Sequence, residues 1–352
     1  MKLLYESKKW IEDVEAAVNS LPFLKELENK KIMITGAAGL VCSSVVDILI
    51  RYNETHENTI GIVVAGRWLE EMTNRFGKYC DKDYFEFVVY DASKDDNKFT
   101  VPVDLIIHGA SNAFPAAIIN EPVETMLSNF TGLLQLLNFA RDCGSKRVLY
   151  ISSSEVYGKK ESNEPYREGE YGFVDLLNPR SSYPVGKRAA ETLCACYSQE
   201  YGVESVIVRP GHIYGPTASP NDNRIASAFG YAAARGETLE MKSAGTQLRS
   251  YCHTLDCASA MLTVLVKGEN NTAYNISNPN SIITIKEMAE LMAKAGGVEL
   301  NQSEASEEEK KSFNFMDNSS LDSTNLEGLG WKGMFSAENG ITSTVETLRD
   351  IL

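Results

Sequence analysis

Tyr183 and Lys187 stand four residues apart in Tyr183-Pro184-Val185-Gly186-Lys187, a spacing that puts a phenol and an ammonium on one face of a helix. A phenol with a pKa near ~10 is a poor base at neutral pH, but a fixed cation beside it favours the phenolate. The pair reads as a base that removes a proton from a hydroxyl. Pro184 sets Tyr183 in the first turn of that helix, where a missing N–H is tolerated. A second set lies in Tyr150-Ile151-Ser152-Ser153-Ser154-Glu155-Val156-Tyr157-Gly158, a strand-like run ending in hydroxyls and a carboxylate. Ser153 there can bind the same oxygen as Tyr183. A serine-rich turn that only caps the next element would have the same composition.

Such side chains need a rigid frame. Ile32-Met33-Ile34-Thr35-Gly36-Ala37-Ala38-Gly39-Leu40-Val41-Cys42-Ser43 reads as a buried strand, a glycine-rich turn and a helix start, the local structure that seats a dinucleotide pyrophosphate. Gly36 can take backbone angles closed to other residues, and Gly39 lets the main chain approach phosphates without a Cβ in the way. Cys42 replaces the third glycine of the usual pattern. Apolar runs at Lys31–Thr35, Thr59–Ala65, Tyr84–Tyr90, Leu105–Gly109, Arg147–Ser152 and Glu204–Arg209 alternate with helical stretches. The alternation predicts an α/β fold, a Rossmann-type doubly wound parallel sheet covered on both faces. Ligands in such sheets lie beyond the carboxyl ends of the strands, so Gly36, Ala65, Asp91, Gly109 and Ser153 are expected along one crevice.

After Pro216 the regularity fades. Asn221-Asp222-Asn223-Arg224, the helical run through Ala234, Thr238–Met241 and Tyr274-Asn275-Ile276-Ser277 read as a smaller mixed α/β lobe. The expected organisation is a helical extension at 1–28, a dinucleotide-binding domain with the catalytic residues at 29–216, and a mainly substrate-binding lobe at 217–352, with some exchange of chain between lobes. In the extension, Leu3, Leu4, Trp10, Ile11, Val14, Val18 and Leu21 recur at helical spacing, which predicts a helix packed on the domain. Ser303–Ser312 reads as a solvated acidic loop or helix face.

The chain has 352 residues, 43% of them hydrophobic, enough for a full core. Its net charge of −14 argues against nonspecific binding to nucleic acid or an anionic membrane. Seven cysteines without metal-ligand spacing point to reduced thiols in the cytoplasm and to no metal site. Cys194 and Cys196 on one helix would face different ways. No apolar run reaches the ~18 residues of a membrane span, and the first residues have no secretory-leader pattern.

Taken together, these residues resemble the extended short-chain dehydrogenase/reductase family, in its nucleotide-sugar epimerase, dehydratase and decarboxylase branch, over about residues 31–330. The likeness rests on the Thr35–Gly39 turn, Asp91, His108-Gly109-Ala110-Ser111, Asn129 in Asn-Phe-Thr-Gly-Leu-Leu, Ser153 before Glu155-Val156-Tyr157-Gly158, and Tyr183 with Lys187. Arg209-Pro210-Gly211-His212-Ile213-Tyr214-Gly215-Pro216 and Arg249-Ser250-Tyr251-Cys252-His253-Thr254-Leu255-Asp256 complete it. The resemblance implies NAD held by Gly36, Ala38, Gly39 and Leu40 at the turn, by Arg67, Asp91 and Ala92 at its adenosine end, and by Gly109, Ala110, Ser111 and Asn129. Lys187 would hold the nicotinamide ribose, and Ser153 and Tyr183 the sugar hydroxyl to be oxidised. It implies a UDP-linked sugar gripped by Ser154, Arg180, His212, Arg224 and Arg249, and a homodimer built on the helices around Asn129–Arg141 and Tyr183–Tyr201.

Two departures stand out. Val63-Val64-Ala65-Gly66-Arg67 lacks the acidic residue common in NAD users, and Arg67 can meet a 2′-phosphate, so NADP stays open beside NAD. His212 stands where asparagine is frequent. The shared first step makes a 4-keto sugar. A 4,6-dehydratase then uses an Asp-Glu pair, but here the pair is Ser154-Glu155, and serine is a feeble acid. The order of hydroxyl residue, Ser and Glu, with Asn178-Pro179-Arg180 ahead of Tyr183, is similar to UDP-glucuronate decarboxylases, with Glu155 assisting proton transfers at C5. A 4-epimerase, a dehydratase with an altered acid, and a noncatalytic NAD(P)-binding sensor or scaffold are the alternatives.

Overall fold

Uninterrupted aliphatic runs form the central strands, because a strand covered on both faces has no solvent side. The computed structural model describes residues 3–111, 113, 115–303 and 316–352, so residues 304–312 of the acidic run lie outside the described residues. The strands are β1 (Lys31–Thr35), β2 (Gly61–Gly66), β3 (Phe85–Val89), β4 (Leu105–His108), β5 (Arg147–Ile151), β6 (Glu204–Pro210) and β10 (Thr272–Ile276). They make one sheet in the order β10-β6-β5-β4-β1-β2-β3, with every neighbouring pair parallel. The strand order reverses between β1 and β4, and a crevice opens there at the carboxyl ends.

Helices α2 (Cys42–Thr55), α3 (Leu69–Phe76), α5 (Pro122–Cys143), α6 (Ser182–Tyr201) and α8 (Thr254–Lys267) connect these strands, and the short α4 (Pro115–Asn120) precedes α5. Two apolar clusters result. One holds Ile32, Ile34 and Val64 and extends to the second lobe, and the other holds Met33, Val63 and Ile106 beneath α5 and α6. Alternate residues of β1 thus serve opposite faces, as the strand period requires.

The second lobe is smaller. β7 (His212–Tyr214) leaves β6 after one residue and pairs with β9 (Leu248–His253), which also pairs with β11 (Ile282–Thr284) and β13 (Asn318–Ser319). β8 (Leu239–Met241) pairs with β12 (Leu300–Gln302), and α7 (Ile225–Arg235), α9 (Ile285–Gly296) and a C-terminal helix, Ala337–Ile351, pack together. One expectation is corrected: Tyr274–Ile276, read with this lobe, is the edge strand of the large sheet, because the apolar face of α8 returns the chain to β6. Conversely, His212–Tyr214 belongs to the small sheet.

The N-terminal segment folds as α1 (Lys8–Asn19), which buries Trp10, Val14, Ala17 and Val18 against α2, α8 and the C-terminal helix. A carboxylate fixes it there. Asp47 of α2 is 1% exposed and accepts hydrogen bonds from Tyr5, from Arg75 of α3, and from Trp10 Nε1 at 3.0 Å.

Candidate functional site

Gly36 follows β1 with φ 66°, and a Cβ there would lie 3.0 Å from the Gly109 carbonyl and the Ala110 nitrogen. Only glycine fits that close approach of two loops. Thr35 ties them further: its hydroxyl shares a 2.7 Å hydrogen bond with His108 Nδ1 and accepts from the Gly109 and Ala110 N–H groups at 3.2 Å each. The missing third glycine is explained here. Cys42 is buried with its Sγ above Gly109, where a Cβ would come within 2.4 Å of the sulfur, so a glycine in β4's loop compensates for the thiol in the helix. No side chain caps α2 at Val41, which leaves N–H groups at that N-terminus for an anion. The turn holding Ala38, Gly39 and Leu40 is anchored to the second lobe, since Leu40 O accepts from Thr217 Oγ1 at 2.7 Å and Thr254 Oγ1 at 2.8 Å. This donor set, with a cradle that a Cβ would fill, fits a dinucleotide pyrophosphate.

At the other end of the crevice, Asp91 accepts from the Ser93 N–H at 3.0 Å and its hydroxyl at 2.7 Å, and these bonds with the Arg67 and Lys94 charges hold its carboxyl below the usual range although burial opposes them. Arg67 is exposed beyond β2, and Ala92 is buried. Ser111 Oγ donates to Asn129 Oδ1 at 2.9 Å, while Asn129 Nδ2 is held by Thr125 O within α5.

Tyr183 and Pro184 fall in the first turn of α6, as the spacing predicts, and both Tyr183 and Lys187 are buried. Ser153 sits at the head of a short 3-10 turn, Ser154–Tyr157, its Oγ accepting from Glu155 N at 3.2 Å. The capping role and the position expected of a substrate-binding hydroxyl therefore fall on one residue. Arg180 Nη2 donates to Glu155 Oε1 at 2.9 Å, so the carboxylate and guanidinium expected on the substrate face each other beside the phenol.

The electrostatics correct one expectation. Burial, with the Glu155 charge, pushes the Tyr183 phenol up to about 12, while the Ser153 hydroxyl, Arg180 and Arg224 oppose the rise. Burial likewise pushes Lys187 down to about 7, against the pull of Glu191. Lys187 Nζ donates to Ile151 O at 2.8 Å and lies 5.7 Å from the Tyr183 ring centre. The protein's own groups thus position the pair without acidifying the phenol, because desolvation favours the neutral form of each.

A second cluster completes the cleft. His212 lies 5.7 Å from the Tyr251 ring, and burial with the charges of Arg249 and Arg224 pushes it down to about 4. Its Nδ1 is buried without a hydrogen-bond partner. Arg224 is held by Asp222 and acts on both His212 and Tyr183, while Arg249 is 2% exposed and donates to Leu248 O and Met316 O at 2.9 Å. Cys194 is buried and Cys196 exposed, and all seven thiols are free. No metal-binding cluster occurs among the described residues. The sequence reading missed Glu191, Ser152 and Asp222, although Glu191 could have been found one helical turn beyond Lys187.

Comparison with known proteins agrees with this geometry. The profile of the NAD dependent epimerase/dehydratase family matches residues 32–277. UDP-glucuronic acid decarboxylase 6 of Arabidopsis thaliana is 35% identical over 262 residues, covering 74% of this chain and 73% of that protein. UDP-glucuronic acid decarboxylase 1 of Xenopus tropicalis is 30% identical over 329 residues, 93% of this chain and 74% of its own length. In fold, the chain is similar to a UDP-glucuronic acid 4-epimerase from Bacillus cereus, solved with UDP-glucuronic acid and NAD, with a TM-score of 0.75, 20% identity, and coverage of 92% and 100%.

Proposed function

Since the chain belongs to the NAD dependent epimerase/dehydratase family, we propose that it is a UDP-glucuronate decarboxylase working through a 4-keto sugar. The observation that carries this reading is the set around the phenol, Ser153, Ser154, Glu155 and Arg180, with a serine where dehydration needs a carboxylic acid. Bound NAD would supply the hydride acceptor for C4 of the sugar and the hydride that completes the cycle. The Gly36–Leu40 turn and the α2 N-terminus would hold its pyrophosphate, Asp91 and Arg67 its adenosine end, and Lys187 the nicotinamide ribose.

Tyr183 takes the proton of the 4-hydroxyl, whose oxygen Ser153 holds. The 4-ketone turns the C6 carboxylate into a β-keto acid. The C5–C6 bond then breaks, CO₂ leaves, and the bonding electrons pass toward the C4 oxygen as an enolate. C5 next takes a proton from water, a transfer assigned to Glu155 as the relay, and as the C4 carbon regains its hydride Tyr183 gives its proton back to the C4 oxygen. Arg180 offers a planar fork that a sugar carboxylate can share with Glu155. Incubation of the protein with NAD and UDP-glucuronate is expected to release CO₂ and a UDP-pentose. A UDP-hexuronate epimer without CO₂ would make it an epimerase instead.

A homodimer is part of this reading. Val123, Met126, Leu127 and Phe130 project from one exposed face of α5, beside the partly exposed Leu193 of α6. That is an apolar stripe at helical spacing, and its self-complementary partner is a second copy packed through the same two helices. Light scattering on a sizing column is expected to give twice the mass of one chain. Leu127→Asp with Phe130→Asp is expected to give single chains, and a wild-type protein already monomeric would refute the interface. No described helix is long and apolar enough to cross a membrane, and the seven free thiols suit the cytoplasm.

A further inference from the structure

Tyr183, Lys187 and Glu191 recur every four residues on α6, so they share one face. Three successive residues at the end of β5 receive them. The Ile151 carbonyl accepts from Lys187 Nζ at 2.8 Å, the Ser152 hydroxyl donates to Glu191 Oε1 at 2.5 Å, and the Ser153 hydroxyl hydrogen-bonds the Tyr183 phenol. On the neighbouring strand, Arg209 of β6 grips Glu191 twice, with Nε 2.9 Å from Oε1 and Nη2 2.6 Å from Oε2. Arg209 is 2% exposed, and its remaining N–H donors go to Tyr157 Oη, Glu168 O and Tyr171 Oη at 3.1, 2.8 and 2.8 Å. All five guanidinium donors are used, so the guanidinium has no slack and the carboxylate it holds is fixed.

We propose that Glu191, clamped by Arg209 and Ser152, is a positioning residue that locks the catalytic face of α6 to the sheet and supplies the negative field under which Lys187 stays an ammonium. This rests on the reading of Tyr183 and Lys187 as the catalytic pair. The groups facing Lys187 are Cys42 from α2, His108 from β4, Tyr150 from β5, and Tyr183 and Glu191 from α6. Burial keeps the first three neutral near pH 7, the thiol being pushed up to about 12, the imidazole down to about 3, and the Tyr150 phenol well above its ordinary value. Tyr183, pushed up to about 12, is neutral as well, so Glu191 is the anion whose charge opposes the desolvation of Lys187. Arg209 stands behind it and limits how far that field extends. A clamp with only a packing role could sit anywhere along α6; this one lies a single turn from the ammonium.

The test uses the full chain with ¹³Cε-labelled lysine, titrated by NMR without cofactor, the Lys187 signal being assigned by its loss in Lys187→Arg. Glu191→Gln keeps the shape of the side chain and its hydrogen-bonding oxygen but removes the charge. The Lys187 midpoint is expected to fall by about half a unit or more, and the pH at which log(kcat/KM) stops rising to move lower by a similar amount. Glu191→Asp, with its carboxylate withdrawn by one methylene, is expected to fall between wild type and Gln, and it serves if the Gln variant does not fold. Equal midpoints in wild type and whichever variant folds would overturn the proposal, even if Tm drops. A wild-type protein that turns over no nucleotide sugar would overturn the catalytic reading instead, and the lysine titration would still decide this one.

Discussion

Tyr183→Phe is expected to lower turnover of UDP-glucuronate by about 10³-fold or more, the scale set by losing a positioned base from a proton transfer. The ring fills the same buried site, so packing changes little. What disappears is the hydroxyl proposed to take the 4-hydroxyl proton, together with its hydrogen bond to Ser153. Calorimetric titration with NAD should show affinity within about threefold of wild type, because Lys187 keeps its bond to Ile151 O. A phenylalanine variant with wild-type kcat would sink the proposed chemistry and favour a protein that only senses or scaffolds with its cofactor. The pH dependence should follow the same groups. With the phenol near 12 and the lysine near 7 before ligands bind, phenolate beside ammonium is a minor form at every pH, so kcat/KM is expected to climb with pH only up to about 7 and to level off where the lysine loses its charge.

The largest stability effect is expected at Asp47. Asp47→Ala takes the acceptor from Arg75, Trp10 and Tyr5 at once, in a place where water does not replace it. Removing one partner of a buried pair costs about 3–5 kcal/mol, and for a chain of this size that is roughly a 4–7 °C fall in Tm by scanning calorimetry. The cost comes from stranded partners rather than from the pair's intrinsic worth. Burial itself pushes the Asp47 carboxyl up, against the lowering by Arg75 and the phenol. Asp47→Leu combined with Arg75→Met should therefore recover part of the loss. A melting temperature within about 2 °C of wild type for the single alanine variant would show that α1 is not anchored as described.

The strands around the crevice were readable because each is an aliphatic run ending in a small or polar residue, and because Gly36 and Gly109 mark a close approach that tolerates no side chain. The place of Tyr183 and Lys187 on a helix was readable from their spacing together with Pro184, which fits only the first turn. The assignment of Tyr274–Ile276 to the large sheet was not, since two apolar residues flanking an asparagine do not say which edge they join; the packing of α8 decides it. The phenol's high pKa was likewise hidden. Spacing reports which charges are near, whereas burial depends on what the second lobe and α5 cover. Glu191 and Arg209 escaped for a similar reason, as a carboxylate and a guanidinium eighteen residues apart become one unit only when β6 lies beside β5.

The threefold grip of β5 on α6 also sets what can vary in length. One residue added between Tyr183 and Glu191 would turn the later contacts by about 100° away from their partners, since a helix advances one residue per 100°. In the connection from Gly158 to Asn178, Glu168 and Tyr171 are tied to Arg209, but Leu176 and Leu177 near its end are exposed to solvent and carry no such phase. Insertions and deletions should accumulate around Leu176 and Leu177 across the family, leaving the helix register untouched while the rim of the cleft is remodelled for different sugars.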